Sequence, residues 1–505
     1  MRLRSPGPSL AALLLAGAVL LLGSSCENDE DPLSARGNLP PDTGITSVGA
    51  VPGLVTLDTT SYRQEISWWG LDPDGEVVGF YYRWCYFESE TCSVGDTGWV
   101  FTTATTDSFV LSVPDSFAIH RFEVKAVDEL GLVDPAPAVV VLPVNNSPPQ
   151  LELAGPALPV TGFPVLALVF RFQDPDGINT FQGFRVWLDG DEPDTMALYP
   201  SDELTYNPAD STHELVLGRA RFGDRIDEFR TVYARGVDNG DGTTARFQYT
   251  WRVTPPQAGV LVVDDFPGSV VTLDNRYKNA LDAYLGAGNY QVHDIMAQGR
   301  LFRTSREAVE ILRLFEGGVV WYTAQEGVRT SLTSVDLTTA EVGLRTMLAD
   351  GKAVYLESTI AVGTNHALSP EFLGEVAGVG VLTNPTNSSS TNGDLNQPVV
   401  LVAGAAGTCA DTSLQYANVR VVGLNTGAEA FELPADGSVR ALWSYPAGQS
   451  VPNQPAVAPL GFVAKGGLVG GRLAFVAFPF PLFNGLGNFQ QEVLKVFCDI
   501  GLGTP

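Results

Sequence analysis

Six residues fall where apolar runs end, and their types could do chemistry. Asp264 and Asp265 close the run at 260–263, Glu357 and Ser358 close the run at 353–356, and Gln325 and Glu326 follow the run at 319–322. If these runs are neighbouring parallel strands, their C-terminal ends converge on one crevice, where open α/β sheets bind ligands. Carboxylates there could exchange protons with a substrate. Ser358 could be a nucleophile with His366 as its base and Glu357 or Asp264 as the orienting acid. The same residue types also serve structure, because a serine in a strand-to-helix turn caps the helix. Ligand binding at the crevice without chemistry is the simpler expectation, and a hydrolase or other enzyme using it is the alternative.

A second acidic set marks two matching turns. Asp72-Pro-Asp74-Gly and Asp174-Pro-Asp176-Gly lie about one hundred residues apart, the length of a β-sandwich domain. Each is followed by a strand that ends in aspartate, at Asp128 and at Asp238, with Asp241 just beyond the second. Oxygen-rich loops at one end of a sandwich could supply hard ligands for calcium. Aspartates in such turns also accept their own backbone N–H groups, so both roles stay open. No other cofactor is indicated. No CxxC or Cys/His cluster has zinc spacing, and four histidines are spread along the chain.

These residues need elements to hold them. From 44 to 144 and again from 148 to 254, short alternating strands are punctuated by Gly, Pro and Asp. Such alternation predicts two β-sandwiches, each burying one face of every strand. Asn145-Asn-Ser-Pro-Pro149 reads as the linker, since consecutive prolines stiffen it and donate no ladder hydrogen bonds. From 258 to 505 the period changes. Apolar strands at 260–263, 290–295, 319–322, 353–356 and 472–478 alternate with amphipathic helices, which predicts a parallel sheet covered on both faces. The closing helix is expected at 489–500, and the Asn/Ser/Thr-rich stretch 383–393 is expected to be an exposed loop. Trp68, Trp69, Trp84, Trp99 and Trp443 are expected in the core.

The first residues speak to location. Arg2 and Arg4 precede an apolar run at 10–22, then Gly23, Ser24, Ser25 and Cys26. The run is too short to span a bilayer, and the three parts together form a signal peptide over 1–25. The end of the segment resembles a bacterial lipobox, although Gly23 stands where that family prefers an aliphatic residue. The resemblance implies that Cys26 is acylated and becomes the new N-terminus. An acidic tether over 26–43, with Glu27, Asp29, Glu30 and Asp31, follows. The expected location is the bacterial cell envelope, at the periplasmic face or the cell surface, held to a membrane by the lipid.

In that oxidising setting the other four of the five cysteines matter. Cys85 and Cys92 flank a polar stretch suited to a hairpin tip and are expected to form a disulfide. Cys409 and Cys498 could pair or stay buried as thiols. The formal net charge of -27 argues against nucleic acid, since no basic cluster could neutralise phosphates.

Several segments resemble known families. The repeated order of apolar strand, Asp-Pro-Asp-Gly turn and later "A-V-D-x-x-G" strand end resembles bacterial fibronectin type III or immunoglobulin-like modules. The last half is similar to the flavodoxin-like α/β domain of the class I glutamine amidotransferase-like superfamily, on its strand order, the Gly351 turn and the late segment "GGRLAFVAFPFPLF". Enzymes of that superfamily carry a cysteine nucleophile just after a central strand. Here residues 356–363 read Leu-Glu-Ser-Thr-Ile-Ala-Val-Gly, and the late His-x-Glu pair is missing too, as His366 is the last histidine. The resemblance therefore implies a domain without its nucleophile and base. Asp264 and Asp265 also look like the acidic pair of a response-regulator receiver. Thr323 stands where that family needs an aspartate, which excludes the reading. The function expected is non-enzymatic binding, adhesion or scaffolding, with an envelope or extracellular protein or glycan as partner.

Overall fold

Alternating apolar residues fold the first two segments into paired antiparallel sheets, and the chain as a whole is mostly β. The computed structural model describes residues 37–50, 62–86, 98–113, 117–177, 180–191, 197–265, 271–323, 331–358, 368–382, 399–404, 406–409, 412–421, 430–444, 459–466, 470–477 and 489–504. The 383–393 stretch, Cys26, Cys92, Gln325, Glu326 and His366 lie outside them. Among the described residues no helix is long and apolar enough to cross a membrane.

The chain packs as two compact units. One comprises the residues up to Pro148 together with the turns Asp174–Thr180 and Asp238–Thr243; the other comprises Pro149–Gln173, Phe181–Val237 and Thr244–Pro505. In the first unit, Asp42–Ala50, Arg63–Leu71 and Thr106–Val110 form one sheet. Val100–Thr102, Val77–Tyr86, Phe117–Asp128 and Ala138–Asn145 form the other. Ile66, Trp68, Phe80, Phe122, Val124 and Val144 fill the space between them. Phe122 is the hub, with the Trp84 and Phe109 rings 4.9 and 5.5 Å from its own.

Two tryptophans depart from the expected core. Trp69 points to the outer face of its strand and is 44 % exposed, because it alternates with the buried Trp68. Trp99 is half-buried, with the cations of Arg83 and Lys125 4.5 and 4.1 Å from its ring. Trp68 and Trp443 are buried as expected.

In the second unit, the sandwich pairs Thr205–Asn207, Thr212–Leu217, Leu166–Gln173 and Gln150–Leu153 against a five-stranded sheet built around Phe181–Leu188, Glu228–Asp238 and Phe247–Val253. The Leu166–Gln173 strand breaks the alternation, since Leu166, Ala167 and Leu168 are all buried. Its outer face is covered by the helix Ser305–Leu312 of the same unit. Glu307 of that helix accepts from Ala167 N at 2.9 Å. The guanidinium of Arg303 donates to the carbonyls of Ala167 and Pro156. Phe163 and Phe315 add an edge-on ring contact at 5.4 Å.

The remainder of this unit is a nine-stranded mixed sheet. Five strands are parallel, in the spatial order Tyr290–Asp294, Val260–Asp265, Gly318–Thr323, Ala353–Glu357, Arg472–Val476. Four antiparallel strands extend it: Pro459–Lys465, Val439–Ser444, Val399–Ala403 and Val419–Val421. Val271–Leu285, Ser331–Ala349 and Phe489–Asp499 are its long helices. Parallel strands buried on both faces read as unbroken apolar runs, which is why every residue of Val260–Asp265 and Ala353–Glu357 is buried. Gly318 opens its strand at φ 112°, where a Cβ would sit 2.3 Å from the Ala353 carbonyl oxygen. Only glycine fits there.

Candidate functional site

The parallel register brings the predicted strand-end residues together. Asp264 pairs with Tyr322, Asp265 with Thr323, and Glu357 lies between Tyr322 and Val476. All four of the described site residues, Asp264, Asp265, Glu357 and Ser358, are buried. A carboxylate buried there needs donors, and tyrosines supply them. Tyr277, on the helix Val271–Leu285, donates its hydroxyl to Glu357, and Tyr355 donates to Glu357 Oε2 at 2.7 Å. Trp321 Nε1 donates to Asp265 Oδ2 at 3.3 Å. Burial first, and then the Glu357 charge, push the Tyr277 and Tyr355 hydroxyls well above the ordinary tyrosine range, so both stay protonated donors. The Tyr277 and Tyr322 rings stack at 4.3 Å, only 4° from parallel.

Beside this network lies a cavity of about 400 Å³, lined by Asp264, Tyr277, Lys278, Asp282, Tyr290 and Tyr322 among others. Tyr290 donates to Asp282 Oδ1 at 2.9 Å, which fixes both groups in its wall. Its volume lies in the range of small-molecule pockets.

Ser358 does not form the hydrolytic arrangement with any described histidine. Its backbone N–H donates to Val476 O at 3.1 Å, and its buried Oγ has no hydrogen-bond partner among the described residues. His120 and His213 belong to the sandwiches, and His293 contacts the Gly299 carbonyl through Nε2 at 3.0 Å.

The donors Tyr277 and Tyr355 do not stand out in the sequence, where one lies in an amphipathic helical stretch and the other inside the apolar run at 353–356. A signal was present: a tyrosine inside an otherwise apolar strand must find a partner for its hydroxyl.

The aspartate turns form a repeated network in the first unit. Asp128 Oδ1 accepts from Leu130 N and Leu132 N, as Asp238 Oδ1 accepts from Gly240 N and Gly242 N. Asn38 Nδ2 donates to Asp128 Oδ2 at 2.6 Å, as Asn146 Nδ2 donates to Asp238 Oδ2 at 2.9 Å. Leu39 N reaches Asp74 as Ser147 N reaches Asp176, and Asp72 and Asp174 each cap their own turn through the N–H two residues on. These bonds engage both oxygens of Asp128 and Asp238 in turn capping. Burial, with the neighbouring carboxylates adding to it, raises the Asp174 and Asp238 carboxyls above the usual range. Among the described residues, no three His, Cys, Asp or Glu side chains are gathered as a metal site would gather them.

Cys409, beside the helix Phe489–Asp499, is bonded to Cys498 within it, with the two Cα atoms 5.3 Å apart. Cys85 is also disulfide-bonded. Next to Cys498, the buried Asp499 holds Tyr416 Oη at 2.7 Å and Lys465 Nζ at 2.6 Å, with Arg440 also paired to it. Its carboxyl lies below the usual range because these donors outweigh burial, which alone would raise it.

No family model matches the chain, and no curated protein matches it. Among solved structures, similarity extends to the fibronectin(III)-like modules of Clostridium thermocellum CbhA, at 14 % identity and a TM-score of 0.18. The match covers 41 % of this chain and 94 % of that one. A ThuA-like protein from Bacteroides uniformis matches at 11 % identity and a TM-score of 0.30, over 48 % of this chain and 91 % of that one. The FN1–FN3 domains of chicken CNTN1 match at 13 % identity and a TM-score of 0.17, over 44 % and 68 %. At such scores these likenesses carry no inference about activity.

Proposed function

We propose that this chain is an exported, lipid-anchored envelope protein whose C-terminal α/β part binds a ligand without transforming it. In this reading two fibronectin type III- or immunoglobulin-like modules precede a flavodoxin-like domain of the glutamine amidotransferase-like type that has lost its nucleophile. The spatial order of the five parallel strands, second-first-third-fourth-fifth in chain order, supports the flavodoxin-like assignment. One observation carries the binding reading. Glu357 sits buried where the strand ends converge, with both of its oxygens accepting from tyrosine hydroxyls, an arrangement that supports a positioning role for it beside the cavity. The adjoining cavity combines tyrosine rings, carboxylates and one lysine, a lining suited to a polyhydroxylated ligand. Of the two partner classes that export allows, protein and glycan, the cavity favours glycan.

The enzyme alternative rests on the buried Oγ of Ser358, which has no partner among the described residues. The two separate on Ser358→Ala, because a binding module keeps its affinity for a glycan whereas a hydrolase loses turnover. Calcium at the aspartate turns is a separate expectation of the sequence. A calorimetric titration of the full chain that evolved no heat would end it.

A further inference from the structure

A second cavity, of about 580 Å³, lies where the strap 156–163 of the second sandwich faces the edge strand Tyr290–Asp294 and the helix Ser305–Leu312 of the same unit. Its volume suits a small molecule. The strap is fixed through its own carbonyls. Pro156 O accepts from Arg303 Nε at 2.9 Å, and Leu158 O and Pro159 O share the Tyr249 hydroxyl at 3.2 Å. Val160 O accepts from Arg252 N at 2.9 Å and Gly162 O from Thr254 N at 2.8 Å. These acceptors are spent. Glu307, in the same lining, is spent as well, since Ala167 N and Arg303 N donate to its two oxygens.

The opposite wall has donors left over. Gln291 and Gln298 use their side-chain oxygens, at 2.8 Å from Gln257 N and 2.9 Å from Asp294 N. Each amide Nε2 is then without a partner among the described residues. Arg300 spends Nε on Asp336 at 3.4 Å and Nη2 on Thr339 at 3.3 Å, and its Nη1 has no partner in the same sense. What this wall lacks is therefore an acceptor-rich group, and the acceptors facing it are already engaged. Polar and apolar parts are sorted by depth. Gln298 is exposed, and Gln291 and Arg300 are half-buried, whereas Phe163, Val165 and Ile311 are buried at 7 %, 2 % and 4 % exposure.

We propose that this cavity binds an amphiphilic monocarboxylate, its head accepting from Gln291, Gln298 and Arg300 and its aliphatic chain lying on Phe163, Val165 and Ile311. A carboxylate brings two acceptor oxygens and no donor, which complements a wall of donors, and the arginine makes the contact charge-assisted. A sugar, with a donor on every hydroxyl, complements it less well. The site is thus separate in place and in chemistry from the cavity beside Glu357.

The test is calorimetric titration of the full chain with sodium octanoate, and with 1-octanol as the uncharged control. Octanoate is expected to bind, and octanol to bind more weakly by about tenfold or more. Gln291→Glu with Gln298→Glu keeps both side-chain acceptors and replaces the two unused donors by charged oxygens. It should weaken octanoate by about tenfold or more at unchanged Tm. Leu158→Trp fills the cavity from the strap without changing charge and should weaken both probes. If the double variant fails to fold, Leu158→Trp alone decides. Absence of octanoate binding, equal binding of octanoate and octanol, or octanoate affinity unchanged in the folded variants would each overturn the proposal.

Discussion

Glu307 offers a quantitative check on the packing of the second sandwich against the α/β part. Burial pushes its carboxyl from the ordinary 4.5 up to about 7, with the Ala167 and Arg303 N–H groups and the Arg303 charge opposing the rise. Because the folded value lies above the unfolded one, the native state holds a proton that the unfolded state releases between these limits. This contribution to stability is fully present below pH 4.5 and is lost as pH rises through about 7. The interval corresponds to about 3 kcal/mol. The perturbation is Glu307→Gln, which removes the titration. It also turns one acceptor into a donor facing a backbone N–H, a fixed penalty independent of pH. Urea unfolding of the full chain at pH 5, 6, 7 and 8, followed for wild type and variant, separates the two effects. The wild type should lose about 3 kcal/mol relative to the variant between pH 5 and 8, mostly below pH 7. Curves that stay parallel within about 0.5 kcal/mol would refute the burial argument.

Three other outcomes are expected. Replacing Cys409 and Cys498 together by serine opens a cross-link over a separation of 89 residues and should cost about 4 kcal/mol, read as a lower urea midpoint. Asp238→Ala leaves Gly240 N, Gly242 N and Asn146 Nδ2 without their acceptor. It should destabilise by about 2–4 kcal/mol in the same assay, and a loss below about 0.5 kcal/mol would remove the turn-capping role. Cys26→Ala should move the protein from the membrane to the soluble fraction of cells, and retention would contradict the lipid anchor.

Local rules made much of the architecture readable. Asp-Pro-Asp-Gly marks a turn wherever it occurs, and the unbroken apolar runs at 260–263 and 353–356 announce strands buried on both faces. Asp264, Asp265, Glu357 and Ser358 were legible as one site because parallel strands end on the same side. Their donors were not legible. Tyr277 comes from a helix some eighty residues before Glu357, and helical periodicity says which face is apolar without saying which hydroxyl is aimed where. The antiparallel strands Val439–Ser444 and Pro459–Lys465 escaped notice because no helix intervenes to signal a period change. Pairing of Cys409 with Cys498 depends on a strand and a helix meeting across the fold, which spacing alone leaves open. Trp69 shows the opposite error, where a residue type stood in for a position. Its strand alternates, so one of two adjacent tryptophans had to face outward.

The claim that the α/β part binds a glycan without chemistry is tested most directly by titrating oligosaccharides into the full chain, with unfolding temperature as the readout. A ligand confined to the folded state adds about 2.7 kcal/mol at one hundred times its Kd, an easily measured rise in Tm. The account predicts such a rise for at least one oligosaccharide, its loss in Lys278→Ala, whose exposed side chain lines the cavity, and recovery of the sugar unchanged. No rise with any oligosaccharide, or cleavage of the sugar abolished by Ser358→Ala, would contradict it.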